Sequence, residues 1–205
     1  MTLRPSQVAW FAVATHVVAA GGMLFLLRRG LPGFPEDERL AYMAAHRAAW
    51  LGGWMVWQLA AISLLAFYVV LARRLNTPLA MFALPPAIAG LALDIASESR
   101  YMAILPELRG DAFVTLDREL EVLIGYGANG LYTVALVLLV VAGWRVLPIS
   151  ARVLSVPVAI SGFALAYASL VHDARLETIT SAILFPLFTL MLMAIALWLR
   201  REESS

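Results

Sequence analysis

The 205-residue sequence has no cysteine and no lysine, and charged residues make up only 14% of it. The missing thiols exclude disulfides, thiolate metal sites and thiol redox chemistry. Every fixed side-chain cation is an arginine. With a formal net charge of +1 and no long basic cluster, the chain offers nothing to a nucleic acid. No His-Glu-x-x-His or comparable ligand pair falls on a single helix, so no motif announces a metal hydrolase. No polar stretch is long enough for a separate soluble domain.

What is present is hydrophobicity, at 62% of residues. It gathers into apolar runs at residues 8–27, 48–71, 79–105, 120–143, 153–171 and 179–199. Each is near the ~20 residues that cross ~30 Å of hydrocarbon. The expectation is an all-α polytopic membrane bundle of six transmembrane helices, one domain over residues 1–205. Its connections are short except around 28–47 and 105–118. The first run follows Arg4 and carries small residues at 19–22, as a secretory signal would. It continues through Leu27 and so reads as a span.

Six crossings put both termini on one side. Arg4, Arg73, Arg74, Arg145, Arg152, Arg200 and Arg201 lie there in connections almost free of acid. All fourteen carboxylates except Glu202 and Glu203 lie in the other connections or on the helix ends that meet them. The positive-inside rule then places the N and C termini in the cytoplasm. Arg28, Arg29, Arg39, Arg47, Arg100, Arg109, Arg118 and Arg175 stand opposite, accompanied by acids such as Glu36, Asp37 and Glu38, and weigh against that orientation. Trp10, Trp144 and Trp198 near the inner boundary and Trp50 near the outer one agree with the layout. Trp50, Trp54 and Trp57 form an aromatic stripe whose simplest role is helix packing or lipid contact.

Residues 85–97 align without a gap to residues 157–169, with eight identical positions. Both segments run outward, as a parallel two-helix repeat over about 79–146 and 152–200 would require, with Gly90 and Gly162 allowing close helix approach. Chance matching between helices rich in alanine, leucine and glycine is the alternative. Under the repeat, Asp94 stands where the second copy has Ala166. A carboxylate in one copy alone is not demanded by shared packing.

Depth singles out the same residue. At ~1.5 Å per residue, Gln58 lies ~22 Å in from Arg73, Asp94 ~24 Å in from Pro78, and Asn129 ~24 Å in from Arg145. At that level an ionised carboxylate facing lipid costs a few kcal/mol, so these groups are expected to face the bundle interior. Helical spacing puts Asp94, Glu98 and Tyr101 on one face of the third span and Glu121, Gly125 and Asn129 on one face of the fourth. With His172 and Asp173 ending the fifth span, and His46 and Arg47 opening the second, the pattern predicts an outward-opening pocket with acidic walls and a polar floor. His16, ~18 Å along the first span, is either hydrogen-bonded across a helix interface or a deep ligand or proton carrier.

Several chemistries fit such a pocket. Gln58, Asp94, Glu98, Tyr101, Glu121, Asn129 and His172 would bind a small amphipathic or cationic ligand, in a role related to transport. Alternatively, Asp94 or Glu121 as acid and His172 or His46 as base would act on a lipid or isoprenoid inside the membrane. No cofactor is expected, although a divalent metal on Asp94, Glu98, Glu121 and His172 would polarise a lipid group. In a purely structural role, Arg47, Arg100 and Arg118 would neutralise the acids and lock the helix ends. The lipid bilayer is the one partner the composition dictates; the pattern does not distinguish monomer from oligomer, nor say whether 106–117 is a lid or a connector.

Arg47 opening the second span before a glycine-containing run, Arg73 and Arg74 closing it, Gly125-Tyr126-Gly127 on the fourth span and Pro148 leading into the fifth resemble the bacterial six-helix membrane proteins grouped as domain of unknown function 4386. The resemblance covers roughly residues 8–199. It implies a six-helix architecture in a bacterial inner membrane and supplies no reaction. This chain carries more acid at the ends of helices three and four than that pattern does.

Overall fold

A computed structural model describes residues 4–204. Among them, six helices are long and apolar enough to cross a membrane: span one, Pro5–Gly30; span two, Arg47–Leu75; span three, Pro78–Glu107; span four, Asp111–Ala142; span five, Ile149–Leu170; and span six, Ala174–Glu202. Local chemistry sets their ends. Pro5 and Pro78 occupy first helical turns, where a missing N–H costs nothing. The Thr77 hydroxyl accepts from the Ala80 N–H at 3.2 Å and the Asp173 carboxylate from the Leu176 N–H at 2.9 Å, each satisfying an orphan donor. Asn76 ends span two in the left-handed conformation, at φ 49°.

Consecutive spans pack against each other, and the ring closes where span six meets span one. Spans two and four also touch across the middle, where the Tyr68 hydroxyl donates to the Tyr132 carbonyl at 3.2 Å. At the end carrying both termini, the Ser6 N–H and hydroxyl donate to the Glu203 carboxylate at 2.8 and 2.5 Å, and Arg74 pairs with Glu202 at 2.6 Å. Large apolar side chains such as Phe25, Met55, Ile88, Ile160 and Tyr167 cover the perimeter, as a hydrocarbon solvent favours.

Two apolar cores fill the ring at different heights. The larger, toward the termini, gathers residues such as Phe67, Tyr68, Leu139, Met191 and Ile195. The smaller, at the opposite end, comprises Leu27, Leu40, Met43, Trp50, Trp54, Tyr101, Leu105, Phe113, Leu116 and Leu120. This second core belongs to a cap that hydropathy alone leaves as connections. Residues 36–45 form a helix, Glu36–Ala45, that buries Arg39, Leu40 and Met43. The stretch 111–119, expected as part of a connection, is instead the first turns of span four. Phe113 and Leu116, with Leu120 just beyond, share one face while charges occupy the other, so the mean hydropathy hides a strongly one-sided helix.

A buried ion pair rivets the cap to span four. Arg39 donates to both Asp117 oxygens at 2.7 and 2.6 Å, gives its Nε–H to the Gly30 carbonyl at 2.9 Å, and lies over the Phe113 ring at 4.9 Å. Glu36 accepts from the Gly110 N–H at 2.7 Å, a second tie across the same seam. Arg39→Ala strands Asp117 and is expected to cost about 3–5 kcal/mol of unfolding free energy in detergent. Arg47→Ala, which breaks an exposed contact to Glu107 at 3.6 Å, is expected to cost less than about 1 kcal/mol. Equal losses in denaturant titrations of the two variants would mean that the buried pair holds the cap no better than a surface contact does.

Candidate functional site

Between the two cores, span three turns a polar stripe inward. Asp94, Ser97, Glu98 and Tyr101 follow the i, i+3, i+4, i+7 pattern of one helix face, and all are buried, Glu98 with 3% of its surface exposed. Among the described residues neither Asp94 nor Glu98 forms an ion pair. The two carboxyls act on each other electrostatically, and the Tyr132 hydroxyl lies beside Asp94 and interacts with it. Glu98 Oε2, Ser97 Oγ and the indole N–H groups of Trp54 and Trp57 are all buried with no hydrogen-bond partner among the described residues.

Span two supplies the aromatic wall. The Trp54 ring stacks on Tyr101, with centroids 4.8 Å apart and planes 11° from parallel. Trp50 meets Trp54 edge-on at 5.6 Å and donates its indole N–H to the Tyr101 carbonyl at 3.1 Å. Trp57 packs on Phe185 of span six at 5.3 Å. The tryptophan stripe therefore lines the site's edge rather than serving lipid contact alone. On the side where an open mouth was expected, Tyr101 and Trp50 are buried within the cap core, one turn beyond Glu98.

Span four divides what the spacing had joined. Val122–Asn129 is a π-helical segment, whose i→i+5 bonding re-aims every side chain beyond it relative to an α-helix. On one side of the segment, Gly125 sits so close to span five that a Cβ would overlap the Ser169 side chain. On the other, Gly127 faces Leu93 of span three, while Ala128 and Tyr132 pack against Gly90. Glu121 and Gly125 thus turn toward spans five and six, and Tyr132 rather than Asn129 faces Asp94. Asn129 is half-buried, and its carbonyl accepts from Thr133.

A second polar cluster lies on that other side. His172 Nδ1 and Glu121 Oε2 are 2.9 Å apart, the Glu177 carboxyl neighbours Glu121, and the Ser169 hydroxyl donates to Glu177. His172 adopts φ 55° in the turn between spans five and six. That conformation costs a non-glycine residue roughly 1–2 kcal/mol, and here it delivers the imidazole to the acid.

The remaining candidates fall elsewhere. Gln58 donates to the Ser99 hydroxyl at 3.3 Å on an exposed seam between spans two and three, not into the site. His46 packs on Tyr42 with ring centroids 4.8 Å apart and planes tilted by 40°, beside a separate cleft near Arg28 and Arg29, and forms no ion pair among the described residues. His16 Nδ1 is 2.8 Å from the Ala12 carbonyl of its own helix, and its ring meets Phe188 edge-on at 5.3 Å, so it serves packing. Arg100 pairs with Glu119 at 2.6 Å. Among the described residues no three His, Asp or Glu side chains converge as a metal ion needs; the four metal candidates divide into Asp94 with Glu98 and Glu121 with His172.

Sequence reasoning missed Ser97, Tyr132, Ser169 and Glu177. Ser97 was legible, three residues after Asp94 on the same face. Glu177 was signalled only by being an acid in the first turn of an apolar span. Tyr132 and Ser169 needed the π segment, which no spacing rule announces. The chain matches no family model, no curated protein and no solved structure.

The contact at Gly125 is testable by stability. Gly125→Ala forces Ser169 aside and is expected to cost about 1–3 kcal/mol, part of it recovered by adding Ser169→Gly. An alanine at 125 that leaves the thermal midpoint unchanged would mean that spans four and five do not approach this closely.

Proposed function

We propose that this chain is a multi-pass protein of a bacterial inner membrane, of the six-helix kind it resembles, with both termini cytoplasmic. In this reading its buried acidic cluster binds the cationic group of a small amphipathic molecule, in a role related to transport. One observation carries it. Glu98 is almost fully buried, and one of its carboxylate oxygens has no partner while the neighbouring group is another acid.

An uncompensated acid is costly to bury whether it stays ionised or is held protonated, and a packed helix has no reason to retain one. An ammonium or other organic cation would offset that cost at Asp94 and Glu98, and the Trp54–Tyr101 stack beside them would add cation–π attraction to the cation and dispersion contact to its apolar substituents. The unpartnered Ser97 hydroxyl, and the Tyr132 hydroxyl beside Asp94, would orient it. The cap closes the cluster, so entry and exit require a second conformation, which fits transport better than a static structural site. The orientation is supported by the arginines of the terminal end. Of the arginines at the capped end, Arg39, Arg47 and Arg100 are held by Asp117, Glu107 and Glu119, while Arg28 and Arg29 form no ion pair among the described residues.

The test is thermal unfolding of the purified protein with a series of alkylammonium ions. Stabilisation is expected to rise with chain length and to vanish in Asp94→Asn/Glu98→Gln, while the ligand-free double variant melts at a higher temperature than the native chain because the cost of burying two uncompensated acids is gone. Undiminished stabilisation of the double variant rejects the site.

The Glu121–His172 contact favours a second reading, an acid–base pair acting on a lipid or isoprenoid. Cells expressing Glu121→Gln would then accumulate an unprocessed lipid in their membrane extract. An extract identical to that of native cells counts against catalysis at this pair.

A further inference from the structure

Where span one meets the cap, the chain builds a feature that the acidic cluster does not use. The last turns of span one widen into a π segment, Met23–Leu27, followed by a tight turn over Arg28–Gly30. A cleft of about 420 Å³ opens there, with Leu24, Phe25, Arg28 and Arg29 on one wall and Tyr42 and His46 on the other. The Tyr42 hydroxyl donates to the Leu26 carbonyl at 2.7 Å and fixes the width of the cleft.

The charge pattern is one-sided. Arg28 and Arg29 are both exposed, and among the described residues neither forms an ion pair. The acids Glu36, Asp37 and Glu38 sit at the opposite, N-terminal end of the cap helix, where the helix dipole favours them. Toward the bilayer, Leu24 and Phe25 are 61% and 83% exposed. One turn deeper, Gly21 and Gly22 have nothing within 4 Å of where a side chain would begin, which leaves a smooth track down the helix. Two unpaired guanidiniums above a greasy furrow are complementary to a molecule with a phosphate at one end and an acyl chain at the other. Guanidiniums bind phosphate oxygens in a bidentate fork, and a net-anionic headgroup brings no cation of its own against them.

We infer that this cleft binds one anionic phospholipid, its headgroup phosphate between Arg28 and Arg29 and an acyl chain along Gly21, Gly22 and Phe25. The site lies at the level where span one leaves the hydrocarbon, which is where headgroups reside. It stands apart from the acidic cluster and does not rest on that cluster's function.

Native mass spectrometry of the full chain, released from zwitterionic detergent and titrated with phosphatidylglycerol, tests it. One lipid is expected to stay bound, and Arg28→Gln/Arg29→Gln is expected to weaken it on the order of thirtyfold, each arginine accounting for about fivefold. Gly22→Leu blocks the track without altering charge and is expected to weaken the lipid as well, so a double variant that failed to fold would leave the question decidable. Arg145→Gln, at the other end of the bundle, is expected to change nothing. Equal retention by native and cleft variants overturns the proposal, as does equal retention of phosphatidylcholine. Binding of glycerol phosphate or inorganic phosphate as tight as that of the intact lipid would make the cleft a soluble-anion site and overturn it too.

Discussion

The cost of holding charge away from water governs this bundle. Where a charged group enters the packed interior, the fold generally supplies a partner: Asp117 for Arg39, His172 for Glu121, the Ser169 hydroxyl for Glu177. Each match comes from a different element of the fold, so each also fixes how two helices sit against one another. Against that rule Asp94 and Glu98 stand out, being two acids on one face with no cation beside them. They lie in the seam between two apolar cores, where neither core needs a polar group.

Span four is the pivot that makes the arrangement possible. Its first turns carry the cap through Asp117, its π segment passes between spans three and five, and its later turns carry Tyr132. Gly125 and Gly127 permit close contacts on opposite sides of the same segment. Tyr126 between them is left half-exposed to the perimeter. A regular α-helix would have kept Glu121, Gly125 and Asn129 in line and merged the two polar clusters. The wider turns separate them, so that one cluster faces spans two and three and the other spans five and six.

The six spans were legible in the sequence because hydrophobic length is a one-dimensional property that survives without knowledge of neighbours. The inward turn of Asp94, Glu98 and Tyr101 was legible for a related reason: a charge at that depth has few places to go, and helical spacing says which residues accompany it. Gln58 broke that logic because an amide is far cheaper to leave at a helix seam than a carboxylate, so depth alone does not send it inward. The cap was illegible because amphipathic helices average to weak hydropathy, and the Arg39–Asp117 pair joins residues 78 apart in the chain. His46 illustrates the same gap, since its place beside Tyr42 depends on a helix that hydropathy had read as loop.

If the acidic cluster opens, the ties around it differ in what they cost to break. The cap is bound to span one through the Arg39–Gly30 and Tyr42–Leu26 hydrogen bonds, and to span four through the buried ion pair. Separating that pair strands a charge at about 3–5 kcal/mol. Near the cluster, span two is held to span one by apolar contacts, Trp50 over Gly30 and Leu27 against Gly53, and to span three by one neutral hydrogen bond from Trp50 to Tyr101; its Thr15–Ser63 and Tyr68–Tyr132 hydrogen bonds lie nearer the termini. Such a bond contributes only about 0.5–1.5 kcal/mol net, and apolar faces slide without stranding a partner. The cap, span one and span four therefore move as a unit more cheaply than they come apart. The seam that yields first is the one carrying Trp50 and Trp54, the wall of the acidic cluster itself.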